Sequence, residues 1–98
     1  MEVKKELQGT TLTVQISGRL DASNAAELTK ELNTSLNGVK DLILDFNGLE
    51  YVASAGLRVL LTAQKRMNKQ GSMKVKNISQ EIREIFEVTG FDELLNIE

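Results

Sequence analysis

The sequence predicts an α/β domain, with a mixed four- to five-stranded sheet, an N-terminal hairpin and three to four helices. Three observations predict it. Leu12, Val14 and Ile16 alternate with Thr13, Gln15 and Ser17, the signature of a half-buried strand, while Leu42-Ile43-Leu44-Asp45-Phe46 is a short apolar run of strand length. Two longer segments repeat apolar residues at helical spacing: Ala25, Leu28, Leu32 and Leu36, then Leu57, Leu60, Leu61 and Met67. Strand and helix segments alternate, so helical crossovers join the later strands and those strands run parallel. The 98 residues make one domain with room for a single core.

The elements follow in order. Val3 to Leu7 pairs with the Leu12 strand through a turn at Gln8-Gly9-Thr10. The first helix starts at Asn24, where Asn24 and Glu27 have capping-box spacing, and stops at Asn37-Gly38. The third strand is Leu42 to Phe46, whose lack of alternation predicts a central position covered on both faces. A second helix runs from about Ser54 to Lys69, ahead of Gln70-Gly71. Met73 and Val75 alternate with Lys74 and Lys76 in a fourth strand. Asn77 or Ser79 caps a third helix carrying Ile82, Ile85 and Phe86, with Gly90 as its stop. Phe91, Leu94, Leu95 and Ile97 are too apolar for a free tail and predict a docked short helix or an edge strand.

Composition excludes most functional classes. A net charge of −2 without a basic stripe gives no footprint for nucleic acid. Nothing approaches a membrane-spanning length, and the opening Met1-Glu2-Val3-Lys4-Lys5-Glu6 is no signal peptide, so no membrane insertion is expected. The chain has no cysteine, which fits the cytoplasm. It also has no histidine, so a Ser-His-Asp triad cannot form. Without His or Cys only an all-oxygen metal site is possible, and none is expected. The Walker loop and the Gly-rich dinucleotide fingerprint are both missing, so no cofactor is expected. A hydrolase elbow would need glycine at Val52, and no general base accompanies the serine.

The most informative residues are Tyr51 to Leu61, where a strand gives way to a helix at Ser54. A helix start has unpaired N–H groups and a positive dipole end. Ser54 there is either the N-cap or a phosphate acceptor at a place that tolerates negative charge, and one hydroxyl can do both. Gly56, in the first turn, is either tolerated there or marks a close approach by another backbone or a partner. Asp21, in the run Gly18-Arg19-Leu20-Asp21, is a turn or cap residue, or a group at the same sheet end as Ser54 that holds the loop or a kinase-bound metal. Asp45 reads as a strand-end carboxylate paired with nearby donors. Lys65, Arg66, Lys69, Lys74 and Lys76 read as solvated faces.

Together, the opening hairpin, the Gly18-Arg19-Leu20-Asp21 run, Leu42 to Phe46 and the block Ser54-Ala55-Gly56-Leu57-Arg58-Val59-Leu60 resemble the STAS domain of bacterial anti-sigma factor antagonists. The resemblance covers nearly the whole chain. It implies a non-catalytic, partner-switching protein whose unphosphorylated form binds an anti-sigma factor serine kinase and so releases the sigma factor. The kinase phosphorylates the serine of an Asp-Ser-Ser-Gly-Leu motif, and a PP2C-type phosphatase reverses it. Aligned on Gly56-Leu57, the phosphorylated serine falls on Ser54, the motif's Asp on Ala53 and its second Ser on Ala55. The implied phosphorylation site is therefore Ser54 alone, and the implied partner surface is Asp21, Ala53, Ser54, Ala55, Gly56 and Arg58. Ala53, which removes a carboxylate beside the acceptor, leaves room for the alternative of a constitutive interaction module in a transporter or signalling assembly.

Overall fold

The computed structural model describes all 98 residues, in the order β1 (Glu2–Gln8), β2 (Thr11–Leu20), α1 (Ala25–Ser35), β3 (Asp41–Asp45), β4 (Leu49–Val52), α2 (Ser54–Gln70), β5 (Ser72–Lys76), α3 (Gln80–Thr89) and α4 (Phe91–Leu94). The sheet runs β1-β2-β3-β5, with β4 also on β2. β1 and β2 form the antiparallel hairpin, turning at Gly9 (φ +62°), and every other pair is parallel. Successive right-handed crossovers that advance across a sheet in one direction leave their helices on one face. Leu12, Val14 and Ile16 of β2, Leu42 and Leu44 of β3 and Met73 and Val75 of β5 point to that face, in one core with Leu28, Leu32, Leu57, Leu60, Met67, Ile82 and Phe86. Phe46 and Phe86 pack with ring centroids 6.5 Å apart.

The opposite face of the sheet is polar. Its rows run Gln8, Thr11, Asp41, Ser72; then Glu6, Thr13, Ile43, Lys74; then Lys4, Gln15, Asp45, Lys76. This corrects the expectation that β3 is covered on both sides: Leu42 and Leu44 are buried, but Ile43 is only half-buried in the polar row. An apolar run of five residues resembles a doubly covered strand even when one side chain faces outward.

A second correction concerns the strand that leads into α2. That strand is β4, which the sequence reading did not separate from the segment before the helix. β2 is ten residues long; its first half pairs with β3 and, past a register shift at Gly18/Arg19, its last residues pair with β4. β4 thus takes over from β3 beside β2 after the turn at Phe46 to Gly48, held by Leu49 N–H donating to the Phe46 carbonyl (2.9 Å) and Gly18 N–H donating to the Gly48 carbonyl (2.9 Å). The buried residues of β4, Leu49 and Val52, are three apart, so period-2 alternation is absent.

The helix ends follow local chemistry, with one exception. Ser79 caps α3, its Oγ accepting from Ile82 N–H (3.2 Å), and Gly90 closes it in the left-handed region (φ +79°). Asn77 instead donates from Nδ2 to Asp45 Oδ1 (2.9 Å), which also accepts from Asn47 N–H (3.0 Å). Asn24 stands at the N-cap of α1, but its side chain makes no capping bond, so the capping box with Glu27 does not form. The tail satisfies both expectations for it: α4 docks, and Ile97 bridges Val75 on the outer edge of β5. Arg66 is no solvated cation. It donates to the Asn33 carbonyl (3.2 Å), Asn37 Oδ1 (2.9 Å) and Gln70 Oε1 (3.2 Å), tying α2 to the end of α1.

Candidate functional site

The strand pairing brings the two loops singled out in the sequence together. Leu20 ends β2 and Val52 ends β4 in adjacent register, and Ala53 N–H donates to the Leu20 carbonyl (2.8 Å). The Asp21 loop and the start of α2 are therefore neighbours at one end of the sheet.

At that end Ala53 is the N-cap of α2, with extended backbone (φ −91°, ψ 173°), and its carbonyl accepts from Leu57 N–H (3.0 Å). Alanine has no side-chain oxygen, so no side-chain cap exists. Ser54 is the first helical residue, exposed, with no hydrogen bond to its hydroxyl. This corrects the capping role considered for Ser54, because a residue already in helical geometry points its side chain away from the first-turn N–H groups. The hydroxyl is free for chemistry beside the positive end of a 17-residue helix with no acidic residue in its first turn. Ser54 lies on open surface and lines none of the grooves of the molecule.

Arg58, one turn on, is exposed; Ala53 and Ala55 are half-buried, and Ala55 packs against the core. Gly56 is buried, which corrects its place on the expected partner surface. A Cβ there would lie 2.7 Å from Leu20 Cγ and 2.8 Å from Val52 Cγ2. The close approach is made by the domain's own strand ends. Gly56→Ala is expected to cost about 1–2 kcal/mol in denaturant unfolding, overpacking outweighing the gain in helix propensity. A stabilised variant would show that Leu20 and Val52 yield more readily than their burial implies.

Asp21 is fixed by its own loop. Its Oδ1 accepts from Ser23 N–H (3.0 Å) and Ser23 Oγ–H (2.5 Å). Asn24 clamps the same turn, Oδ1 accepting from Asp21 N–H (3.0 Å) and Nδ2 donating to the Arg19 carbonyl (2.9 Å). The Ser23 hydroxyl first, then the Ser23 N–H, holds the Asp21 carboxyl below its ordinary 3.8. A carboxylate with a depressed folded pKa contributes stability that is present above the unfolded value and lost as pH falls through the folded one. Ser23→Ala is expected to move the Asp21 midpoint upward toward 3.8 in a carboxyl NMR titration, and an unmoved midpoint would assign the shift elsewhere. No three His, Cys, Asp or Glu side chains cluster closely enough to hold a metal ion, and no helix is long and apolar enough to cross a membrane.

Arg19 and Tyr51, which the sequence reading did not single out, meet at this end of the sheet. They are register partners on β2 and β4, both exposed, with the guanidinium 4.5 Å from the ring centroid. Arginine and tyrosine are enriched at interface hot spots. They stand 32 positions apart in the sequence, and only the unpredicted β4 brings them together.

The family model described as Mlab, STAS domain, matches residues 3–96. The chain belongs to the STAS domain family. This STAS domain is 35% identical over 78 residues to BtrV of Bordetella bronchiseptica, which carries the name of an anti-sigma factor antagonist; the match spans 78% of this chain and 67% of that one. It is 30% identical over 87 residues to the anti-sigma-B factor antagonist of Bacillus subtilis, spanning 88% of this chain and 80% of that one. The STAS domain superposes on the crystal structure of an anti-sigma factor antagonist from Mycobacterium paratuberculosis with a TM-score of 0.88 at 21% identity, over 98% of this chain and 83% of that one. At that identity the superposition speaks to the fold, and the fold is shared.

Proposed function

We propose that this STAS domain is a cytoplasmic anti-sigma factor antagonist that works by partner switching. Unmodified, the end of the sheet formed by Ser54, Arg58, the Asp21 loop and the Arg19–Tyr51 pair binds an anti-sigma factor serine kinase. Phosphorylation of Ser54 lowers that affinity, and a PP2C-type phosphatase restores it. The observation that carries the reading is an exposed hydroxyl without an intramolecular partner, at the first position of α2, in a chain related to named antagonists. Open surface without a cleft, general base or metal cluster suits binding rather than turnover.

The test is incubation with the candidate kinase and ATP, followed by mass spectrometry. One phosphate at Ser54 supports the switch. No modification, under conditions that phosphorylate a control antagonist, would overturn it in favour of a constitutive interaction module, the reading that Ala53 beside the acceptor favours. The domain itself is expected to tolerate the phosphate, since a charge at the first turn interacts favourably with the helix dipole by about 0.3–1 kcal/mol. The phosphorylated chain should therefore melt no lower than the unmodified one, and up to about 8 °C higher. A lower melting temperature would mean that phosphorylation acts by unfolding the site instead of by changing its charge.

A further inference from the structure

The outer edge of β1 is uncovered, and its sequence complements itself. β1 ends the sheet: all seven residues pair with β2 on one side, and no strand adjoins the other. Alternate N–H and C=O groups along that edge face solvent, the arrangement that templates further strand pairing. We propose that a second copy of this chain covers this edge, with β1 pairing antiparallel to β1 across a two-fold axis at Lys5.

Charge and shape select that register. Centred on Lys5, the strand Glu2-Val3-Lys4-Lys5-Glu6-Leu7-Gln8 sets Lys4 opposite Glu6 of the second copy, and Glu6 opposite its Lys4. Opposite charges directly across an antiparallel pair attract, and the two-fold makes the contact twice. Lys4 and Glu6 lie on the polar face of the sheet, beside Gln15 and Thr13. On the helix-bearing face, Val3 falls opposite Leu7. Leu7 is 62% exposed although its β2 partner Leu12 is buried. It borders a shallow groove lined by Lys5, Leu7, Leu12 and Ser35, which the second copy's Val3 would cover. Lys5, on the axis, is already paired with Glu31 and donates to Ser35 Oγ (3.0 Å), so its charge is directed to α1 rather than across the axis. A register centred on Lys4 sets Glu2 against Glu6, one centred on Glu6 sets Glu6 against itself, and parallel pairing sets like against like.

β1 pairs with β2 only as far as Ser17, whereas β4, which leads into Ser54, pairs beyond it with Gly18 to Leu20, so this dimer leaves Ser54 of both copies free. Sedimentation velocity on the whole chain tests the proposal. From about 10 μM to about 1 mM, the wild-type mass is expected to rise from the 10.9 kDa monomer toward twice that value. Lys4→Glu and Glu6→Lys, each placing like charges opposite one another twice, are expected to weaken association at least about tenfold. The double variant Lys4→Glu/Glu6→Lys restores opposite signs and should regain it. Both side chains are exposed, and unchanged circular-dichroism melting would show that each variant folds. A wild-type mass that stays at 10.9 kDa throughout, single variants that associate normally, or a double variant that does not recover would each overturn the proposal.

Discussion

Phosphorylated at Ser54, the chain is expected to bind the anti-sigma factor kinase about 100-fold more weakly than the unmodified chain, a loss of about 3 kcal/mol. A partner surface that fits a neutral hydroxyl must desolvate the phosphate without offering it a compensating charge, and an unpaired charge in an interface costs several kcal/mol. Arg58, at i+4, can reach part of that charge from within the helix, but it faces solvent and leaves the rest uncompensated at the contact. Ser54→Asp carries a smaller charge and is expected to reproduce part of the loss. Ser54→Ala should bind within about threefold of wild type and melt at the same temperature, because the hydroxyl makes no intramolecular bond and caps nothing. Calorimetric titration of all four forms decides the matter. Equal affinity of the phosphorylated and unmodified forms would sink the switch, and an unstable Ser54→Ala would show a structural role for the hydroxyl.

Gly71→Ala is expected to be the most damaging glycine-to-alanine substitution in the domain. Gly71 joins α2 to β5 with extended φ (173°), which any residue can adopt, so the effect is one of space rather than of dihedral strain. An added Cβ would lie 1.7 Å from the Lys40 carbonyl oxygen and 2.6 Å from its carbon. That carbonyl cannot retreat freely. It accepts from Ser72 N–H (2.8 Å), while Lys40 N–H donates to the Thr10 carbonyl (2.8 Å), so the starts of β3 and β5 are fixed to the hairpin turn through this residue. Overpacking against fixed backbone lies at or beyond the upper end of the usual range, about 3 kcal/mol. For a domain of this size that corresponds to a fall in melting temperature of roughly 12–24 °C. A loss below about 1 kcal/mol in urea unfolding would show that the α1–β3 and α2–β5 turns shift more easily than their hydrogen bonds imply.

The residues read correctly from sequence share one property: their signals are local. Leu12, Val14 and Ile16 alternate over five positions, the Leu57 to Met67 stripe repeats within one helix, and Gly90 sits one residue past the end of α3. Ser54 was legible in the same way, because the apolar repeat behind it marks a helix start. The errors fall where a remote segment decides the outcome. Asn24 has capping spacing, yet its amide turns back to the Arg19 carbonyl and Asp21 N–H, because the end of β2 presents unpaired groups there. Arg66 looks like one of several surface cations until α1 is placed beside it.

The sequence alone determined the α/β architecture, the helix that begins at Ser54 and a lone hydroxyl between Ala53 and Ala55, because periodicity and residue order are properties of neighbouring residues. Only the tertiary structure decided that Ser54 caps nothing, that Gly56 is filled by Leu20 and Val52, and that Arg19 stacks on Tyr51 beside the site. All three depend on β4 continuing the sheet along the end of β2. A four-residue strand holds its shape through the hydrogen bonds and packing of its neighbours rather than through any preference of its own.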